Sequence, residues 1–300
     1  MMNVSLRTHV ATLGLLLLPC LGLGAEASKF RFVASAYLDG QGRGMNGPEG
    51  VACRDDGTVV VGDTGNGRLL RYTFDGQQFR GGDEVRLPPG AYPTRVQFGP
   101  NGDLYCLDAK ARRVLRAAAA GEASYIELVG VPEPSAVWVR SFRVDPDGSL
   151  YLLDPLGWRV LVVDKAGRFQ RAIPIPEGVV SLDDLALDRG KVYLLDGVSG
   201  SVYSAAKTAG GFSLLAQGLR QFLNFTMDLT TDPRGGFYLT DQNGGGIVFL
   251  GPDGTFQARH SSAGWKEGLL RHPAQVCVTA KGEVVVADRD NSRIELFLSR

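Results

Sequence analysis

The sequence predicts an all-β protein, a six-bladed β-propeller closed by its own N-terminal strand. Three observations predict it. One short pattern recurs six times, and every copy ends its second strand in Asp. Those Asp residues (63, 108, 154, 196, 241 and 288) are separated by 45, 46, 42, 45 and 47 positions. The apolar segments are rich in Val, Leu and Tyr, and helical periodicity is absent beyond the leader. Repeats of forty-odd residues, each too small to bury a core alone, stack around an axis.

The first element reads as a signal peptide over residues 1–27. Arg7 supplies the positive region, residues 10–23 the apolar stretch, and Ala25, Glu26 and Ala27 a small-x-small cleavage site. The mature chain would begin near Ser28, in the periplasm or outside the cell. Pro19 precedes Cys20 where a lipoprotein signal places a small residue, so no lipid anchor is expected. No later stretch is long and apolar enough to span a bilayer. Residues 30–38 are strand-like and are predicted to pair with 294–298.

The six units follow as a single domain over 28–300. They lie near 48–92, 93–138, 139–180, 181–224, 225–272 and 273–300, the last completed by 30–38. Each has an apolar strand, a Gly turn, a second strand ending in Asp, a loop and a third strand. Asp56-Gly57, Asn101-Gly102 and Asp147-Gly148 are dipeptides that tolerate positive φ in hairpins. Strands apolar nearly throughout fit sheets packed on both faces.

The repeat resembles the NHL family. Asp63, Asn66 and Arg68 in the first unit, and Asp288, Asn291, Arg293 and Ile294 in the last, match the family's Asp-x-x-Asn-x-Arg-Ile. Gly47 to Val51 and His272 to Val276 resemble its Pro-x-Gly-Val lead-in. Arg113 and Arg159 keep the motif in units two and three; Ser201 and Gly246 replace the Arg in units four and five. The resemblance implies four strands per blade. The last unit stops after its third strand, so the N-terminal strand would supply the fourth and bury two open edges.

Composition narrows the function. A hydrophobic fraction of 44% fills a core, and 40 Gly suit many tight turns. Thirty-two basic and 32 acidic side chains give no net charge, which disfavours nucleic acid. RNA binding, known for some cytoplasmic NHL proteins, is therefore the weakest functional option. Cys53, Cys106 and Cys277 remain after the leader and permit one disulfide at most. They read as small buried hydrophobes. A Cys53–Cys106 bridge between neighbouring blades is the alternative.

A carboxylate repeated identically in every blade reads as a turn cap rather than a catalyst, with Arg68, Arg113, Arg159 and Arg293 as partners. Function is expected instead on the face of the variable inter-blade loops. All three tryptophans, Trp138, Trp158 and Trp265, fall there, with Tyr92, Phe222 and Phe225. These rings either bind a ligand or wedge between blades.

The channel mouth is a second candidate. Gly50, Arg95, Ser141, Asp184, Asp228 and Gln275 should point to it, with Glu49, Thr94, Arg140, Asp183, Met227 and Ala274 one position earlier. Asp184 and Asp228, with Asp183 and Glu49, form a candidate site for Ca²⁺ or another divalent cation. The competing reading is an Arg–Asp network that plugs the channel.

The leading expectation is a monomeric, exported, non-enzymatic binding or protein-interaction scaffold. Its partner would be an envelope or secreted protein, a peptide or a small glycan. The alternative is a metal-dependent hydrolase, lactonase or lyase, since relatives of this fold include gluconolactonase-like enzymes and the peptide-amidating lyase. Only His260 and His272 follow the leader, too few for a His-rich zinc site plus a His base.

Overall fold

The computed structural model describes residues 30–118 and 122–299, so the signal peptide expected at 1–27 lies outside the described residues. Within them the chain forms six four-stranded antiparallel sheets. Five are consecutive in sequence. The sixth runs in the order Phe30–Ala36, Arg293–Ser299, Glu283–Asp288, Pro273–Val278. Phe30 pairs with Ser299 and Ala36 with Ile294, so the N-terminal strand completes the last blade as the sequence predicts.

Burial explains the patterning. Second strands such as Leu104–Asp108 and Leu150–Asp154 are buried at every position, because each lies between two blades. Outer strands such as Phe169–Pro174 alternate, with one face in water. Six apolar clusters result, one at each blade-to-blade interface.

The hairpins differ in one detail from expectation. Only the glycine of each Asp-Gly or Asn-Gly pair takes positive φ, +87° at Gly57. The turn is a type I turn followed by one left-handed residue: Gly57 N–H donates to the Arg54 carbonyl at 3.0 Å. The residue before the glycine does not take positive φ, and where it is Asp its carboxylate accepts the amide two residues on. Asp56 Oδ1 accepts the Thr58 amide at 2.8 Å. A Cβ on Gly57 would also meet the Phe74 carbonyl oxygen at 2.5 Å.

The cysteines require a correction. Cys53 and Cys277 form a disulfide, joining the inner strands of the first and last blades. A Cys53–Cys106 bridge is not formed. Closure of the ring makes blade six, not only blade two, a neighbour of blade one. Cys106 is a buried free thiol, pushed up to about 12 by burial.

Candidate functional site

The six repeated carboxylates hold the loop face in place. Each receives a backbone N–H from the segment leading into its own blade. Asp63 accepts from Asn46, Asp108 from Tyr92, Asp154 from Trp138, Asp196 from Val180 and Ser181, Asp241 from Asn224 and Phe225, and Asp288 from Arg271. A carboxylate satisfied this way ties the inter-blade loop to the end of the second strand. Arg68, Arg159 and Arg293 pair with their Asp at 2.8, 2.9 and 2.8 Å. Arg113 does not. It pairs with Glu127, and Tyr125 takes its place by donating its hydroxyl to Asp108 at 2.6 Å. In blade five, where Gly246 stands for the Arg, Arg259 from the outer strand reaches Asp241 at 2.6 Å.

The inner strands build the channel in layers. Arg95, Ser141, Asp184, Asp228 and Gln275 meet at the axis as a septum. Arg95 pairs with Asp228 and lies 3.6 Å from Asp184. Arg143 donates to Asp184 and to the Leu229 carbonyl, each at 2.9 Å. Ser141 donates to Asp184 as well. Amides of Leu229 and Val276 complete the two carboxylates at 2.8 and 3.1 Å. Gln275 Oε1 accepts from Val51 and Val96 at 3.0 and 3.3 Å.

Two arginines and two aspartates thus neutralise one another where neither carboxylate touches solvent. Burial pushes Asp228 up to about 7, against the pull of Arg95. Burial acts on Asp184 too, but Arg143 and Arg95 outweigh it and hold that carboxyl below its ordinary range. Arg143 is absent from the sequence reading. Its signal was available, because it lies two positions after Ser141 and so faces the same way along the strand.

The septum divides the channel. On the hairpin side lies a chamber of about 430 Å³, lined by Arg143, Asp145, Lys207, Phe98 and the Cys53–Cys277 bridge. On the loop side lies a chamber of about 250 Å³. Glu49, Thr94, Arg140, Asp183, Met227 and Ala274 all line it, with Tyr92, Trp138, Gln242 and Arg289 around them. Arg289 escapes a reading from the sequence because it occupies a variable position of the blade-six motif.

The candidate metal residues are split between two levels. Asp184 and Asp228 sit in the septum, while Glu49 and Asp183 face the upper chamber. Asp183 accepts from the Gly197 amide at 2.9 Å and from Ser181. No group of three or more His, Cys, Asp or Glu side chains gathers as metal ligands among the described residues. His260 is buried against Phe30, and His272 lies 2.6 Å from Asp290; neither lines the two chambers.

The aromatic residues divide by role. Trp138 is half-buried under the Arg112 guanidinium, 4.4 Å from its ring, and walls the upper chamber with Tyr92. Phe222 is a wedge: it stacks on Phe256 at 3.9 Å and packs on the core between blades four and five. Phe225 is half-buried, its amide held by Asp241. Trp158 and Trp265 are 42% and 73% exposed.

The architecture defines a class: this is a six-bladed β-propeller. It carries an NHL repeat, whose family model matches residues 270–297. No curated protein matches the chain in sequence. Solved structures match it in shape. Virginiamycin B lyase from Staphylococcus aureus superposes with a TM-score of 0.64 at 13% identity, over 90% of this chain and 99% of that one. A gluconolactonase from Xanthomonas campestris gives 0.64 at 17%, over 85% and 86%. A chain of the nidogen/laminin complex gives 0.58 at 16%, over 77% and 87%. At such identities the likeness is one of fold. Among the described residues no helix is long and apolar enough to cross a membrane.

Proposed function

We propose that the protein is an exported, non-enzymatic binding scaffold that engages a protein or peptide partner through its loop face. The observation that carries this reading is the presentation of Trp265. Its ring is 73% exposed, yet its loop is pinned from beneath. Arg293 donates to the carbonyls of Trp265, Lys266 and Leu269 at 3.0, 2.9 and 2.7 Å. Glu295 accepts the Gly268 amide at 3.1 Å. A large apolar ring carried on a loop whose main chain is already fixed has met part of the ordering cost of binding. Tyr37 and Leu38 are exposed beside it at the ring seam. Leu156, Trp158, Val180 and Val198 are also exposed, on the loops of blades three and four.

Two further points support the reading. A propeller of similar fold stands in the nidogen/laminin complex. Export agrees with the leader at 1–27 and with the Cys53–Cys277 disulfide, since such bonds persist in oxidising compartments. The metal-dependent alternative needs several free carboxylates at the mouth, whereas Arg95 and Arg143 engage Asp184 and Asp228, Arg140 pairs with Asp183, and Glu49 alone of the four has no ion pair among the described residues.

The test is affinity capture from the host's envelope fraction with wild type, Trp138→Ala, Trp158→Ala and Trp265→Ala proteins. The variants are expected to melt as wild type does, with Trp265→Ala losing a partner that wild type retains. If all three retain every partner, the loop face is not the binding surface.

A further inference from the structure

The upper chamber holds two opposite charges that do not meet. The Arg140 guanidinium makes one long ion pair, 3.8 Å to Asp183 Oδ1, lies 3.7 Å from Met227 Sδ, and makes no hydrogen bond to an oxygen among the described residues. The Glu49 carboxylate has no hydrogen bond or ion pair there either; only its backbone amide is engaged, with Gly62 O at 3.2 Å and Thr64 Oγ1 at 3.1 Å. Both side chains line the same cavity and both residues are half-buried. The charged groups one layer below are all paired. Partly buried charge with hydrogen-bonding capacity to spare is unfavourable, so a cation held by one long ion pair and an anion held by none, in one cavity, suit a ligand that satisfies both.

We propose that this chamber binds a small zwitterion of the α-amino-acid class, its carboxylate on Arg140 and its ammonium on Glu49. The arrangement excludes simpler ligands. A bare anion would face Glu49 and Asp183, and a bare cation would face Arg140 and Arg289. The volume, about 250 Å³, falls below the range of drug-sized pockets, so the ligand is small. Trp138 and Met227 offer apolar wall for its side chain, and the planar guanidinium suits a carboxylate held at two oxygens. Burial pushes the Glu49 carboxyl up and, with Arg95 nearby, the Arg140 guanidinium down, and opposite charges on a ligand would reverse both shifts.

This inference goes beyond the partner proposed for the rim. It fails or stands separately, because Trp265 does not line the chamber. Isothermal titration of the mature chain with a panel of free L-amino acids tests it, alongside sodium acetate and the methyl ester and N-acetyl forms of any binder. The expected result is saturable binding of at least one free amino acid, abolished by esterification or acetylation. Arg140→Gln and Glu49→Gln should each weaken it about ten- to hundredfold, with Arg140→Lys intermediate and Trp265→Ala without effect. Near-ultraviolet circular dichroism checks that the variants fold, and the ligand derivatives test the site on wild type alone. Failure of every free amino acid to bind, or equal binding of acetate, the ester or the N-acetyl form, would overturn the proposal.

Discussion

Burial of His260 makes the fold sensitive to acid. Its ring is 8% exposed and lies flat on Phe30, with centroids 3.9 Å apart, and its Nε2 has no partner. Burial lowers its pKa from 6.5 to about 4. A lowered folded-state value for a base means that the neutral ring is the stabilising form. The contribution is complete above pH 6.5 and is lost as the pH falls from there through 4, on the order of 3 kcal/mol at most. The His260→Phe protein should therefore melt with a shallower dependence on pH between 6.5 and 4.5 than wild type. Parallel curves in a thermal scan would show that His260 is not the acid-labile group. At this scale the sequence was partly legible. The six capping carboxylates could be read because each recurs with its own turn. The guanidinium of Arg259 could not, because it reaches Asp241 from an outer strand that carries no motif.

Elements were legible where local chemistry repeats and weak where it does not. The buried second strands announce themselves by apolar runs that end in Asp. Ala123–Tyr125 and Ser213–Ala216 are short outer strands with little burial, and nothing in their residues marks them. The loop that presents Trp265 is a third kind of case. Its length was visible, but its rigidity comes from Arg293 and Glu295 on the strand beneath. That rigidity is measurable, because Lys266 lies within the loop and is a trypsin site. Arg293→Lys keeps the charge but removes the fork that grips three carbonyls. We expect cleavage after Lys266 to become about tenfold faster under native conditions, the gain expected from about 1.4 kcal/mol of lost local protection. Unchanged cleavage at that bond would mean that the loop is ordered by something other than Arg293.

A propeller built from one chain must join its last blade to its first, and this one does so twice at the same seam. The Phe30–Ala36 strand completes blade six from outside, and the Cys53–Cys277 bridge ties the inner strands near the axis. The two devices act differently. The strand covers an edge: without it Arg293–Ser299 would present unpaired amides and carbonyls, the template for pairing with a second chain. The bridge spans 224 residues and acts chiefly on the unfolded chain, contributing about 2–4 kcal/mol. Their losses should therefore be distinguishable. Replacing Cys53 and Cys277 by Ala should lower the melting temperature by about 5–15 °C and leave a monomer. Deleting residues 28–39 with the disulfide intact should lower it too, but should also produce dimers and larger species by light scattering, with Arg293–Ser299 the newly open edge. A truncated chain that remained monomeric and melted with its parent would show that the N-terminal strand decorates the ring rather than closing it.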